Sequence, residues 1–458
     1  MSLEIISRIQ FGFTISFHIL FPAFSIGLVT FIAILEGAWL KTRNPHYLYI
    51  CQFWTKVLAL TFGMGIVSGV VMEFQLGTNW SGFTRAVGNV LGALFTYEVL
   101  TAFFIEAGFL GVMFFGWNRV SPRLHYIATL LTLIGVTLSA FWIMSANSWM
   151  QTPAGVTYKN GMFIITNWFD VILNPLFLPR YFHMLLATYA ASLLVIGAIS
   201  ANYLLKKKHQ AFSRTCFSLV MWSLLIIMPI QIGIGDTVGL KIHEYQPLKT
   251  AAMEGVWDTQ KGAPLLLFAW PDQKAEKNNF VISIPKLASF FNTHSLDGEL
   301  LGLKSVTPSE QPNVAVVFWS FRIMVGFGLL MLGLAVLGLI LRIQKKLYDT
   351  QWFLKLCVLS APLGFICIIT GWFTAEFGRQ PWIVYRYIKT IAAHSPIALY
   401  QVLTSFIVIL FVYGVIFGYF YFHYLYRIIL KGPEEKPVHL DESFFYMSPT
   451  IGKKETKK

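Results

Sequence analysis

Charge is what this sequence has least of: 12% of its 458 residues are Asp, Glu, Lys or Arg, against 56% hydrophobic. Soluble domains carry about 25% charged residues, so a water-soluble fold is excluded. Period-two alternation is missing as well, which excludes a lipid-spanning barrel and leaves helices to satisfy backbone polar groups in lipid. Cysteine is scarce. Cys51, Cys216, Cys357 and Cys367 form no CxxC pair and no metal-ligand spacing, so neither a disulfide framework nor a zinc site is expected. The amino terminus (MSLEIISRIQFGF) has no basic stretch followed by a small-residue cleavage site, so no removable signal peptide is expected. No internal repeat of transporter type is evident.

Long apolar runs fill the chain instead, and the reading is an all-α integral membrane protein. With about 20 residues needed to cross the hydrocarbon, nine spans are predicted, near 13–39, 54–76, 92–116, 125–148, 181–205, 215–239, 314–341, 353–376 and 395–426. The net charge of +13 lies mainly in short loops between spans, which the positive-inside rule explains without nucleic acid. One set of loops is the richer in base: Lys41 and Arg43, Arg119 and Arg123, Lys206 to Lys208 with Arg214, Arg342 with Lys345 and Lys346, and Arg427 with Lys431. That set is expected to be cytoplasmic, with the amino terminus outside and the carboxyl terminus inside. The domains follow: 1–239 with six spans, 240–313 as an extracytoplasmic loop, 314–426 with three spans, and 427–458 as a polar cytoplasmic tail.

One connection alone is long. A structureless loop beyond about 15 residues is usually functional or disordered, and 240–313 opens with Lys241, His243, Glu244, Lys249 and Glu254 against apolar neighbours. Such a mixture suits an amphiphile with a polar head, such as a quinone or a lipid. The other organising stretch is GWFTAEFGRQPW at 371–382. Glu376 ends an apolar run, where a carboxylate is costly. Arg379 follows at helical pairing distance, and Pro381 stops the helix.

Polar residues inside the spans decide more. His18 lies in the first, Glu98 and Glu106 in the third, His183 opens the fifth, Met324 lies in the seventh beside Arg322, and Glu376 closes the eighth. On a regular helix, Glu98 and Glu106 sit about 80° apart, on neighbouring sectors of one face. With the amino terminus outside, His18, Glu98, His183, Met324 and Glu376 fall toward one outer layer. His, Met and carboxylate are ligands of haem iron, and a His/Met pair suits an electron-transfer haem. Arg322 offers a cation to a propionate. Ser139, in the fourth span, is a candidate for a proton path with Glu98 and Glu106, though helix packing is the favoured reading.

These segments resemble subunit I of the cytochrome bd-type ubiquinol or menaquinol oxidases of prokaryotes. The matching motifs are RIQFGFTISFHILFP, GVVMEFQLGTNW, FTYEVLTAFFIEAGFLG, RYFHMLLATY, GDTVG…QPLKTAAMEG, FWSFRIMVG and GWFTAEFGRQPW, covering nearly the whole chain in order. The resemblance implies His183 and Met324 as axial ligands of a low-spin haem b, with Arg322 beside it. It implies His18 and Glu376 at the irons of two high-spin haems, which residue serves which being left open, with Arg379 as a cofactor-binding residue. Glu98 and Glu106 belong to the oxygen site and its proton path, and Lys249 and Glu254 to a quinol site. The cofactors implied are two haem b and one haem d, a chlorin. The segment after QPLKTAAME is short, as in members with a haem b in place of the chlorin.

The implied activity is a water-forming quinol:oxygen oxidoreductase of the cytoplasmic (inner) membrane. It oxidises quinol outside, draws protons from the cytoplasm and so builds membrane potential without a separate pump. The implied partners are quinol, O2, a second hydrophobic subunit and a small single-helix subunit, with no nucleic acid. Two other classes fit parts of the pattern: a haem-free ion-coupled transporter, and a quinol-dependent electron-transfer cytochrome b without oxygen chemistry.

Overall fold

The computed structural model describes residues 2–434. Among the described residues, nine helices are long and apolar enough to cross a membrane: Leu3–Thr42, Pro45–Thr78, Ser81–Phe115, Pro122–Gln151, Trp168–Leu205, Gln210–Tyr245, Val314–Ile343, Gln351–Phe377 and Leu399–Lys431. These are called the first to ninth spans below. They start where the chain supplies caps. Asn44 accepts from the His46 amide before Pro45, Ser121 accepts from Leu124 before Pro122, and Asn313 accepts from Val316. Each such cap satisfies a backbone donor that the first helical turn leaves open.

The spans are longer than the apolar runs alone predict. The first starts at Leu3 and divides into two helical segments at Ile19, next to His18, where the N–H and carbonyl of Ile19 stay hydrogen-bonded to Ile15 and Ala23. The sixth continues to Tyr245, so Lys241, His243 and Glu244 ride on its last turns rather than in the following connection. Hydropathy sees only the hydrocarbon part of a helix, whereas backbone pairing continues into the interface.

A core of Leu, Ile, Phe and Trp side chains from the first, second, fifth, sixth, seventh and eighth spans holds the bundle together. The third and ninth spans bury little of their surface in this chain. Both contain π-helical turns, Gly88–Gly92 and Val99–Phe103 in the third and Leu410–Phe417 in the ninth.

The long connection is folded. A short helix, Pro247–Glu254, is followed by an antiparallel hairpin of Leu265–Asp272 with Lys277–Ile284, and by a second short helix, Leu287–Thr293. Gln260–Lys261 pairs with Glu299–Leu300 and closes the unit. Gly255 caps the first short helix at φ +68, and a Cβ there would also lie 3.2 Å from Leu266 and Phe318. The turn and the close approach both require glycine. Ala251, Ala252, Val256 and Trp257 pack with Leu303, Val314 and Val317, which seats the unit on the start of the seventh span.

Candidate functional site

The eighth span delivers Glu376 to the end of the bundle that carries the long connection. There its carboxylate meets side chains from three other elements. Asn147 and Gln151 of the fourth span donate to one oxygen, at 3.0 and 3.1 Å, and Arg379 donates to the other. Asn147 also accepts from Arg180 at 2.6 Å. From the connection, Lys249 donates to Gln151 at 2.6 Å and Gln246 donates to the same amide oxygen at 3.2 Å. An unbroken chain of hydrogen bonds therefore runs Lys249–Gln151–Glu376–Arg379.

The charges of this cluster do not balance. Arg180, Lys249 and Arg379 gather around the Glu376 carboxylate, and Lys249 is only 2% exposed. Burial, reinforced by Arg180 and Arg379, pushes the Lys249 ammonium well below the usual lysine range. Two buried donors of Arg379, Nε and one Nη, find no partner among the described residues. Buried guanidinium donors without acceptors are rare, so this pocket fits an added anion.

His183, on the fifth span, faces Gln231 at 3.4 Å and Gly235 of the sixth, while its Nδ1 is buried without a hydrogen bond. Met324, on the seventh, packs its sulfur on Gly371 of the eighth, where a Cβ would stand 2.9 Å away. His18 lies against the second span: Nδ1 is 2.9 Å from the Ser68 hydroxyl, and a Cβ on Gly69 would reach within 3.1 Å of the ring. Each of these three ligand-type side chains thus faces a bare backbone. Among the described residues, no three His, Cys, Asp or Glu side chains converge to hold a bare metal ion. Axial positions on a macrocycle that brings its own equatorial nitrogens match this donor set.

The third span brings Glu98 and Glu106 onto the fourth. Ser139 donates to Glu98 at 2.7 Å, so this serine is a hydrogen-bond donor to a half-buried acid rather than simple packing. Glu106 presses on Gly135, where a Cβ would stand 2.6 Å from its Cγ, and its Oε1 has no partner. The π turn Val99–Phe103 lies between the two acids. One inserted residue offsets about 100° of rotation, so the expected 80° separation shrinks to about 20°.

Arg322 is turned away from the bundle interior. Its Nε donates to the Leu266 carbonyl at 2.6 Å, one Nη to the Met253 carbonyl, and the other to Glu254 at 3.3 Å. It also lies 3.6 Å over the Phe318 ring. With these donors engaged by the long connection, it acts as the connection's clamp. Glu254 accepts from Asn292 at 3.2 Å, and its burial raises the carboxyl above the usual range against the opposing pull of Arg322. Beside it opens a cavity of about 400 Å³, lined among others by Trp257, Asp258, Leu266, Lys277 and Lys304.

Sequence reasoning missed Asn147, Gln151, Arg180 and Gln246. The first two share a face at i and i+4 in SANSWMQ, a polar break at the end of an apolar helix. That break was the available signal.

Residues 6–433 match the family described as cytochrome bd terminal oxidase subunit I. The chain belongs to that family. It is 34% identical to cytochrome bd-II ubiquinol oxidase subunit 1 of Escherichia coli (strain K12) over 89% of this chain and 93% of that one. It is 37% identical to cytochrome bd ubiquinol oxidase subunit 1 of Bacillus subtilis (strain 168), over 86% and 87% respectively. Among solved structures, the bd oxidase of Geobacillus thermodenitrificans superposes with a TM-score of 0.88 at 28% identity, covering 94% of this chain and 99% of that one. Membership makes this a multi-pass protein of a prokaryotic inner membrane and a haem-bearing quinol oxidase subunit, and it sets aside the transporter and the oxygen-independent cytochrome.

Proposed function

We propose that this chain oxidises quinol at the face carrying the long connection, which is the outer face, and passes the electrons to oxygen inside the bundle. The observation that carries this is the bridge from Lys249 through Gln151 to Glu376. It ties the short helix Pro247–Glu254, whose Glu254 lines the cavity, to an acid at the end of the eighth span. The unit within 240–313 is the quinol-binding domain, between the transmembrane segments 1–239 and 314–426. Of the cytoplasmic tail 427–458, residues 435–458 lie outside those described.

His183 and Met324 would hold the low-spin haem b. His18 and Glu376 would serve the two high-spin haems, and the unpartnered donors of Arg379 suit a propionate. The three hydrogen bonds to Glu376 leave one lone-pair site, on the oxygen that accepts from Arg379, to face an iron. When bound, two haem b and one haem d, or a haem b in its place, supply one-electron transfer and the oxygen-binding iron.

The chain's own residues handle substrate and protons. Glu254 takes a quinol proton and releases it outside, and Lys249 orients the quinol oxygen. Glu106 and Glu98 carry protons inward from the cytoplasmic side, four for each O2 reduced to two waters. Electrons and protons that reach the oxygen site from opposite faces build membrane potential. A second hydrophobic subunit, and a small single-helix one, complete the oxidase against the exposed third and ninth spans.

The test is a reduced-minus-oxidised spectrum of the purified complex with haem extraction and quinol-driven O2 uptake. Haem b with a far-red chlorin band and O2 uptake is the expected result. A folded complex without haem would overturn the proposal.

A further inference from the structure

One buried titratable pair takes no part in the site above. Glu36 of the first span is 0% exposed, and His125 of the fourth is 2% exposed. Their Oε1 and Nδ1 atoms stand 2.6 Å apart. Thr129 donates to the other Glu36 oxygen at 2.7 Å, and Trp117 covers the imidazole with ring centroids 3.8 Å apart. The pair lies at the end of the bundle opposite the long connection, about 9 Å in from Thr42 and about 5 Å in from Pro122 at 1.5 Å per residue.

The hydrogen bonding fixes how many protons it holds. Nε2 of His125 is 3.1 Å from the Met113 carbonyl, which can only accept, so Nε2 carries a hydrogen. A neutral imidazole then offers a lone pair at Nδ1, and an ionised Glu36 offers only lone pairs. A 2.6 Å contact between them requires one more proton, on the acid or on the ring. The pair therefore stores a transferable proton without net charge. That makes its burial tolerable.

A row of positions leads inward from it. On the fourth span, His125, Thr129, Thr132, Gly135 and Ser139 follow at spacings of three and four and so share one face. Thr129 and Thr132 are buried, Gly135 is the seat of Glu106, and Ser139 holds Glu98. Successive steps rise about 5 Å along the helix. The unpartnered Oε1 of Glu106 is the open acceptor in this row.

We infer that Glu36 and His125 form a proton-loading site at the inner end of the acid path, handing its proton by way of Thr129 and Thr132 to Glu106 and reloading from the cytoplasm. The inference rests on the proposed role of Glu106 and Glu98. Cys51 of the second span, whose thiol is 3.7 Å from the Ile32 carbonyl and which also faces Cys216, and Tyr126, whose hydroxyl packs on Gly37, are titratable neighbours of the pair. Lys41, Arg43, Arg119 and Arg123 lie at this end of the bundle as well.

Glu36→Gln separates a proton role from a structural one. A glutamine amide donates to Nδ1 of neutral His125 and accepts from Thr129, so the contacts survive while the stored proton is lost. The experiment is time-resolved proton uptake and charge movement after O2 is mixed with the reduced oxidase complex in liposomes. Glu36→Gln is expected to keep the haem spectrum and quinol reduction of the low-spin haem, and to slow proton uptake about tenfold or more, within the usual range for a lost proton-transfer group. If that variant does not assemble, Thr129→Val, expected to slow uptake about threefold, replaces it. Unchanged uptake in whichever variant assembles, with Glu106→Gln blocked, overturns the loading site alone. Unchanged uptake in Glu106→Gln as well overturns the acid path on which it rests.

Discussion

Glu254 is buried between Arg322 and Asn292. Burial lifts its carboxyl above the ordinary range, and a base that takes a quinol proton works only when ionised. As pH falls through that raised value the base is lost, so quinol oxidation should fall off on the acid side at a pH above that of an exposed carboxylate. Glu254→Gln should lower quinol-driven O2 uptake about a hundredfold and leave the haem spectrum intact. A pH–rate profile and a reduced-minus-oxidised spectrum check both outcomes. Lys249→Met should likewise slow quinol oxidation without haem loss, since among the described residues its ammonium donates to Gln151 alone. At this scale the sequence revealed residues that break an apolar run or sit in a distinctive motif, among them Glu376, Glu106, His183 and Lys249. It did not reveal Gln151 or Arg180, whose partners lie on other spans. It also misread Ser139, because its partner Glu98 lies 41 positions away.

Among elements, the seventh span and the long connection are joined through Arg322. Its three recorded hydrogen bonds hold Met253, Glu254 and Leu266. Removing one partner of a buried ion pair costs about 3–5 kcal/mol. Arg322→Ala should therefore loosen the unit: limited proteolysis within 255–313 should quicken, and the KM for quinol should rise, while the His183/Met324 haem signal persists. The π turn Val99–Phe103 makes a second prediction at this scale. Adding one residue in regular helical geometry between that turn and Glu106 would turn Glu106 about 100° away from Gly135. Haem content should stay and proton-coupled turnover should collapse, as O2 uptake and haem extraction would reveal. Helix existence was legible in the apolar runs, but π turns were not, since one inserted residue leaves no hydropathy signal. The fold of the connection was equally hidden, because its strands pair over distances that a local pattern does not encode.

For the molecule as a whole, spectroscopy is the decisive measurement. His183→Ala or Met324→Leu should abolish the low-spin haem signal and spare much of the high-spin signal. An untouched low-spin signal in both would reject these ligands. Span number among the described residues and the all-helical class were legible because lipid leaves helices few alternatives. The meeting of Asn147, Arg180, Lys249, Glu376 and Arg379 was not, because it depends on how four segments are packed. That meeting has a consequence for biogenesis. A freshly inserted chain must bury two guanidiniums against one acid, beside a lysine whose charge the same burial disfavours, and isolated buried charge is costly by several kcal/mol. Until an anionic cofactor arrives, this end of the bundle is electrostatically unfinished. Haem delivery then becomes a checkpoint in maturation: in haem-starved cells the subunit should be cleared by membrane proteases rather than accumulate as an intact apoprotein.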